Sequence, residues 1–199
     1  IFGEDYIQLH RDEIENIIKN KYIKKKIERK ELLEVENAVK AFNKIRSGSF
    51  VLNQNNIKQL HKILVNGLNI DFGYKKHKIV VNNKDTCLPE KVREEMTKLI
   101  DWWLNSSKST ENKFILAIKF HQRFEHIHPF SDGNGRVGRL ILIWMLLKYN
   151  YGVILFEDKN KQKYFSSLNY ADEGRNNKLY QYTLDVYKKT FEDIKIKEL

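Results

Sequence analysis

Apolar residues recur through most of the chain at spacings of three and four, the period of an α-helix with one buried face. Between Asn56 and Gly67, for example, Ile57, Leu60 and Leu64 share one face, and the glycine is placed to end the helix. The pattern predicts helices over residues 33–45, 56–67, 90–104, 112–127, 136–148, 163–170 and 178–191. The fifth is apolar on almost all sides, which is typical of a helix buried at the centre of a fold.

The segment from Lys76 to Leu88 breaks this pattern, because a β-branched run, Ile79 to Val81, precedes the turn-forming pair Asn82 and Asn83. It predicts a short β-hairpin on an otherwise all-α body. The 199 residues contain no internal repeat and no linker rich in proline, glycine or serine, so they fit one domain. We divide the chain into an N-terminal helical segment, residues 1–32, and a core, residues 33–199.

The charge balance favours anionic partners, since 36 lysines and arginines against 26 acidic residues give a net charge of +10. The basic segment from Lys19 to Lys30 lacks the interleaved aromatic residues that a nucleic-acid stacking surface uses. A solvated helix and loop is therefore favoured there over a nucleic-acid site.

Three features predict a cytoplasmic protein. The single cysteine, Cys87, forms no intrachain disulfide, and the N-terminus lacks the basic and apolar regions of a signal peptide. The longest apolar run, Leu140 to Leu147, is far shorter than the roughly 20 residues that span a bilayer. We therefore expect no membrane partner.

Candidate chemistry is concentrated in HPFSDGNGRVGR, residues 128–139, between two predicted helices. Gly133 and Gly135 flank Asn134 where the loop becomes a helix, so backbone N–H groups can approach an anion at the positive end of the helix dipole. Arg136 and Arg139 are three residues apart and project from nearly the same side of the first turn. Two arginines beside this cradle indicate a ligand with more than one phosphate.

Two further side chains in this segment complete the pattern. Asp132 would repel a polyphosphate unless a Mg²⁺ ion lay between them, and His128 is able to accept a proton at neutral pH. A zinc site made of His121, His126 and His128 is disfavoured, because the last two point to different sides of a helix and no HExxH pattern is present. The remaining histidines, His10, His61 and His77, are expected on the surface or on a helix face.

The segment resembles the signature of Fic-domain proteins, H-x-F-x-(D/E)-G-N-G-R-x-x-R, at every specified position. The resemblance implies a Fic-type helical bundle with a β-hairpin flap upstream of the motif, where Lys76 to Leu88 fits. It also implies transfer of AMP from ATP to a Ser, Thr or Tyr hydroxyl of a target protein, with self-modification and a homodimer as further expectations.

The resemblance assigns roles within the motif. His128 deprotonates the target hydroxyl, Asp132 holds Mg²⁺, and Phe130 is an apolar anchor for the loop. The residues implied to bind the nucleotide phosphates or their metal are Asp132, Gly133, Asn134, Gly135, Arg136, Gly138 and Arg139.

Outside the motif, the resemblance implies two further contacts. Flap residues Ile79, Val80 and Val81 would pair main chain to main chain with the target segment. Tyr164 and Phe165, in a segment that follows the motif helix, would pack on the adenine base, whereas a base contact by Asp172 is doubtful because some relatives have Asn there.

Many Fic proteins carry an inhibitory pattern, (S/T)-x-x-x-E-(G/N), whose Glu pairs with the second motif arginine, here Arg139. Ile1-Phe2-Gly3 resembles the end of this pattern with Phe2 in place of Glu, and the hypothesis is that inhibition is lost. Two alternatives stay open: Phe2 packs as an ordinary apolar terminus, or Glu36 is the inhibitor although Leu32 replaces the hydroxyl residue.

The competing function class is a non-catalytic basic binding module or a Fic-fold scaffold. The intact His128 and the complete set of phosphate-binding residues argue against it. A phosphotransferase relative is disfavoured because that branch has Lys where this chain has Gly135.

Overall fold

The computed structural model describes residues 29–81, 84–156 and 160–195. The helices are α1 (Arg29–Arg46), α2 (Gln54–Leu64), α3 (Val92–Ser106), α4 (Lys113–Ile127), α5 (Asn134–Lys148), α6 (Lys161–Asp172) and α7 (Asn177–Lys195). The strands β1 (Val80–Val81) and β2 (Lys84–Asp85) pair antiparallel, with Val80 opposite Asp85 and Val81 opposite Lys84.

The predicted all-α fold with a β-hairpin is confirmed. Phe2 and nearly all of the basic segment that begins at Lys19 lie outside the described residues. The boundary between residues 32 and 33 stays a prediction. Within the described part of the chain, no helix combines the length and the apolar character needed to cross a membrane.

Helix α5 lies at the centre of the fold, as its all-round apolar sequence predicts. Every residue from Asn134 to Leu146 is buried, and the helix packs against α1, α2 and α4. Its first turn is polar, which distinguishes it from the rest of the helix. The fold therefore encloses Asn134, Arg136 and Arg139 as well as the apolar core.

Helix α4 is set against α5 by defined ends. The Asn112 side chain accepts hydrogen bonds from the N–H groups of Phe114 and Ile115, at 2.9 and 3.2 Å, and so satisfies two groups that the first turn leaves unpaired. At the other end, His128 adopts a left-handed conformation with φ of 51°. A non-glycine residue in this region stops the helix and turns the chain into the loop before α5.

Gly138 lies where α5 crosses α4 closely. A Cβ at this position would overlap the Glu125 carboxylate and lie 3.1 Å from Phe124 Cδ1 and 3.2 Å from His121 Cε1. The absence of a side chain thus allows two buried helices to approach each other.

We expect Gly138→Ala to lower the free energy of unfolding by about 1–3 kcal/mol, because the added methyl group must displace packed side chains of α4. Gly138→Ser should cost more. Urea unfolding at neutral pH measures both. Variants as stable as the parent would contradict the close crossing of the two helices.

Candidate active site

The loop between α4 and α5 carries the candidate base. His128 closes α4 with a hydrogen bond from its N–H to the Phe124 carbonyl, 3.0 Å long. Its side chain is only 8% exposed and borders a cavity between the β-hairpin and α6.

The environment of His128 keeps its imidazole neutral. Burial and the nearby Lys75 cation lower its pKa to about 4, although a hydrogen bond to the Glu125 backbone carbonyl and the charge of Asp132 oppose this. A neutral ring that donates one N–H to a carbonyl keeps a lone pair on its other nitrogen. His128 is therefore in the state that a general base requires at pH 7.

Asn134 fixes the loop through its side-chain amide. Phe130 N–H donates to Asn134 Oδ1 at 2.8 Å, and Asn134 Nδ2 donates back to the Phe130 carbonyl at 2.9 Å. Phe130 is fully buried, as expected of an apolar anchor, and forms a single β-bridge with Tyr74. These bonds fix the middle of the loop, at Phe130, between His128 and the start of α5.

The N-terminus of α5 presents backbone donors and cations together. Gly133 precedes the helix in a left-handed conformation with φ of 78°, and no side chain of the described residues caps this end. The Gly133 N–H donates to the Asp132 carboxylate, whose side chain is 40% exposed. A helix start with free N–H groups is a favourable site for an anion.

The two motif arginines are buried beside this helix start. Arg136 lies between two carboxylates, with Nη1 3.7 Å from Glu34 Oε1 of α1 and Nη2 3.4 Å from Asp132 Oδ1. Arg139 is 8% exposed, and its charge contributes to the lowered pKa of buried His121, after burial itself. Both arginines are thus buried in the first two turns of α5, and two carboxylates flank Arg136.

A cavity of about 360 Å³ opens beside His128. The hairpin contributes Val81, Lys84, Asp85 and Thr86, the end of α4 contributes Glu125, His126 and His128, and α6 contributes Phe165, Leu168, Asn169 and Asp172. Such a volume, with one aromatic ring and convergent polar groups, suits a small ligand.

Asp172 is held at the rim of this cavity. Its Oδ1 accepts from Gln122 Nε2 at 2.7 Å and lies 3.6 Å from His126 Nδ1, while Oδ2 is 3.9 Å from Lys84 Nζ of β2. Burial opposes ionisation, yet the bonds from His126 and Gln122 hold the pKa of Asp172 below its usual range. The carboxylate is thus ionised and connects α4, α6 and the hairpin.

The comparisons with known proteins agree with this geometry. Residues 51–146 match the family model described as the Fic/DOC family. Residues 51–146 carry a Fic domain. The chain is 37% identical over 116 residues to a probable protein adenylyltransferase of Aquifex aeolicus, which covers 58% of this chain and 35% of the relative.

A second relative, protein adenylyltransferase Fic of Nematostella vectensis, is 26% identical over 153 residues, 74% of this chain and 35% of the relative. The chain thus spans about a third of the length of these two curated relatives. A crystal structure of a Fic-domain-containing signaling protein from Bacteroides thetaiotaomicron superposes with a TM-score of 0.81 at 22% identity, over 90% of this chain and 77% of that one. This likeness shows a shared fold.

The Fic domain brings most of the predicted site residues together, but in unequal positions. Phe165 and Val81 line the cavity with His128, whereas Tyr164 is buried beside it, with its hydroxyl 2.6 Å from His121 Nε2. Val80 is 56% exposed on the hairpin, and the Ile79 carbonyl is taken by Thr86. Gly138 faces α4 rather than the loop.

His61 is a site residue that sequence reasoning did not identify: it lies on a helix face, one of the two expected placements, but it is completely buried. Its ring stacks on Phe130 at 3.9 Å, its Nδ1 accepts from Gly73 N–H at 3.2 Å, and its Nε2 lies 3.0 Å from the Asp132 carbonyl. Only the neutral form with hydrogen on Nε2 satisfies both contacts. The spacing of Ile57, His61 and Leu64 was the available signal, since it puts the histidine on the apolar face of α2.

Three buried histidines should make the stability of this Fic domain depend on pH. Burial lowers the pKa to about 4 for His61 and His128 and to about 3 for His121. An unfolded chain protonates its histidines near pH 6.5, so it binds more protons than the folded chain below that pH. The free energy of unfolding should therefore fall between pH 7 and pH 4, by about 1–2 kcal/mol per histidine at pH 5.

Urea unfolding at pH 7, 6 and 5 measures this slope. The hydrogen bond to Asp172 raises the pKa of His126 and acts in the opposite direction, but it is one group against three. His61→Phe should flatten the slope, while His77→Asn, on an exposed residue, should leave it unchanged. Equal stability at pH 7 and pH 5 would contradict the neutral state of the buried histidines.

Proposed function

We propose that this Fic domain is the catalytic part of a Mg²⁺-dependent protein adenylyltransferase, which transfers AMP from ATP to a hydroxyl group of a target protein. The observation that carries the proposal is the position of a neutral His128 between the cavity and the anion-binding start of α5. The names of the two curated relatives support the same reaction class.

In the proposed reaction, His128 accepts the proton of a Ser, Thr or Tyr hydroxyl on the target. The oxygen then attacks the α-phosphorus of ATP, the bond to the β-phosphate oxygen breaks, and pyrophosphate leaves. Burial and the nearby Lys75 charge keep the ring neutral, so its lone pair is available to accept the proton when the hydroxyl arrives.

Negative charge on the phosphates would meet the α5 N-terminus. The N–H groups that follow Gly133 would donate to the phosphates, and the buried Arg136 and Arg139 of the same helix would supply positive charge. Because Glu34 and Asp132 already hold the Arg136 guanidinium, that group is oriented before a nucleotide binds. Groups that are oriented in advance stabilise a charged transition state better than water does, because they need not reorganise during the reaction.

Asp132 is the residue that would hold Mg²⁺. The described residues contain no cluster of three or more metal-binding side chains, but Mg²⁺ on nucleotides commonly uses one or two carboxylates with the phosphates themselves. A partly exposed carboxylate beside the helix start fits that pattern. When bound, the ion would be held by Asp132 and would neutralise negative charge on the phosphates.

The cavity and the hairpin would position the two substrates. Phe165 and Leu168 offer apolar surface for the base on one wall, and Val81 and Thr86 form the opposite wall. Ile79, Val80 and Val81 would align an extended target segment by main-chain pairing, which sets its hydroxyl opposite His128. Self-modification and a homodimer belong to the same proposal.

Replacing His128 by Ala should lower AMP transfer by about 100-fold or more, because no other group would take the hydroxyl proton. Intact-mass spectrometry after incubation with ATP and Mg²⁺, alone and with a cell extract as the source of targets, measures transfer to the chain and to other proteins. His77→Ala is the matched control on an exposed histidine. Transfer by His128→Ala at the parent rate would contradict the assignment of the base.

The proposal includes the loss of inhibition at Phe2. Phe2→Glu should lower the transfer rate, because a carboxylate that pairs with Arg139 competes with nucleotide phosphates for the same guanidinium. Phe2→Gln, which has the same shape without the charge, is the control. The same mass measurement checks both variants, and equal rates for Glu, Gln and the parent would contradict the regulatory role.

A further inference from the structure

Lys75 is a buried ammonium group next to the active-site loop, and the proposed reaction does not use it. Its side chain is 4% exposed. The Nζ atom donates to Thr86 Oγ1 at 2.7 Å and to the Ile127 carbonyl at 3.3 Å. Ile127 is the last residue of α4, directly before His128.

The backbone of the same residue contacts the loop on the other side of His128. Lys75 N–H donates to the Pro129 carbonyl at 2.9 Å, and the preceding residue, Tyr74, forms the β-bridge with Phe130. The side chain and the main chain of Lys75 therefore contact the residues on both sides of His128.

Thr86 extends this contact into the hairpin. Its hydroxyl donates to the Ile79 carbonyl at 2.7 Å, and its N–H donates to the same carbonyl at 3.3 Å. Consecutive hydrogen bonds thus run from the Ile127 carbonyl through Lys75 and Thr86 to Ile79, where the segment expected to dock the target begins.

Packing alone does not account for an ammonium group at this position. Both of its acceptors are neutral oxygens, and none of the ion pairs of the described residues gives it a carboxylate partner. Burial lowers the pKa of Lys75 to about 8, which reflects the cost of removing the charge from water. A methionine would fill a similar volume without that cost.

We propose that Lys75 is a positioning residue that fastens the hairpin to the end of α4 and so sets the docking segment opposite His128. Its charge has a second effect, because it opposes protonation of the imidazole. The proposal depends on the proposed transferase activity only for its consequence in the reaction, namely that loss of Lys75 lowers kcat more than it changes KM for ATP.

Lys75 is one of several charged groups around His128, and the others define what a charge change can do. The charge of Asp132 acts on the ring from the loop, and the cavity beside the ring is lined by Glu125 and His126 of α4, Lys84 and Asp85 of the hairpin and Asp172 of α6. The Lys75 charge lowers the pKa of His128, whereas the Asp132 charge raises it. Removing the lysine charge should therefore raise the pKa of His128.

The test compares Lys75→Met, Lys75→Arg and Lys78→Met in the whole chain. Lys78 is the matched control, because it lies three residues after Lys75 and pairs with Asp85 at 2.7 Å while 51% exposed. Histidine NMR titration, with His128→Asn for assignment, measures the His128 midpoint. Amide hydrogen exchange measures the protection of Thr86 N–H relative to its intrinsic rate.

Lys75→Met should raise the His128 midpoint by about 0.5–1 pH unit and lower the protection of Thr86 by about 10-fold. Lys75→Arg should restore most of both, and Lys78→Met should change neither. The inference would be overturned by a Lys75→Met chain with the parent midpoint and the parent protection, or by equal effects of Lys78→Met.

If Lys75→Met does not fold, the Lys75→Arg variant still tests the positioning role of Lys75. Burial lowers the pKa of Lys75 to about 8, although the nearby Cys87 opposes this, whereas a guanidinium stays charged. The parent should therefore lose Thr86 protection between pH 7 and pH 9, and Lys75→Arg should not. Identical profiles would overturn the inference. These readouts need neither ATP nor a target, so they fail or succeed independently of the transferase proposal.

Discussion

The burial of α5 is the constraint on which the rest of the structure depends. An apolar helix at the centre of the fold brings its polar first turn into the interior, where each polar group needs a partner. Asn134 meets this need with two hydrogen bonds to Phe130, and Arg136 meets it with Glu34 and Asp132. The geometry of the active-site loop thus follows from satisfying the buried helix end.

The same burial sets the electrostatics of the site. Burial keeps His61, His121 and His128 neutral, and the buried cations Arg136, Arg139 and Lys75 each lower the pKa of one of these histidines further. Carboxylates lie in the same region, since Glu34 and Asp132 flank Arg136. The buried arginines are therefore oriented for phosphate before a nucleotide binds, while burial keeps the base unprotonated.

Local sequence predicts what depends on local physics. The apolar periodicity identifies all seven helices of the described residues, and the β-branched run before Asn82 locates the hairpin. The apolar periodicity predicts a start of α5 at Arg136, but the helix begins two residues earlier, at Asn134. Asn134 belongs to the first turn because of its contact with Phe130, which an apolar stripe does not reveal. His61 and Lys75 were missed for the same reason, since their partners at Asp132 and Thr86 are distant in sequence.

The loop is held from separate elements that meet only in the folded chain. Helix α2 reaches it through His61, the segment before the hairpin through Tyr74 and Lys75, and α5 through Asn134. Helix α1 reaches the site through Glu34, whose carboxylate faces Arg136. This ion pair is almost fully buried, so a shift of α1 along its axis must also move or release the arginine. Helix α1, the helix nearest the N-terminal segment, is therefore mechanically coupled to the anion-binding end of α5.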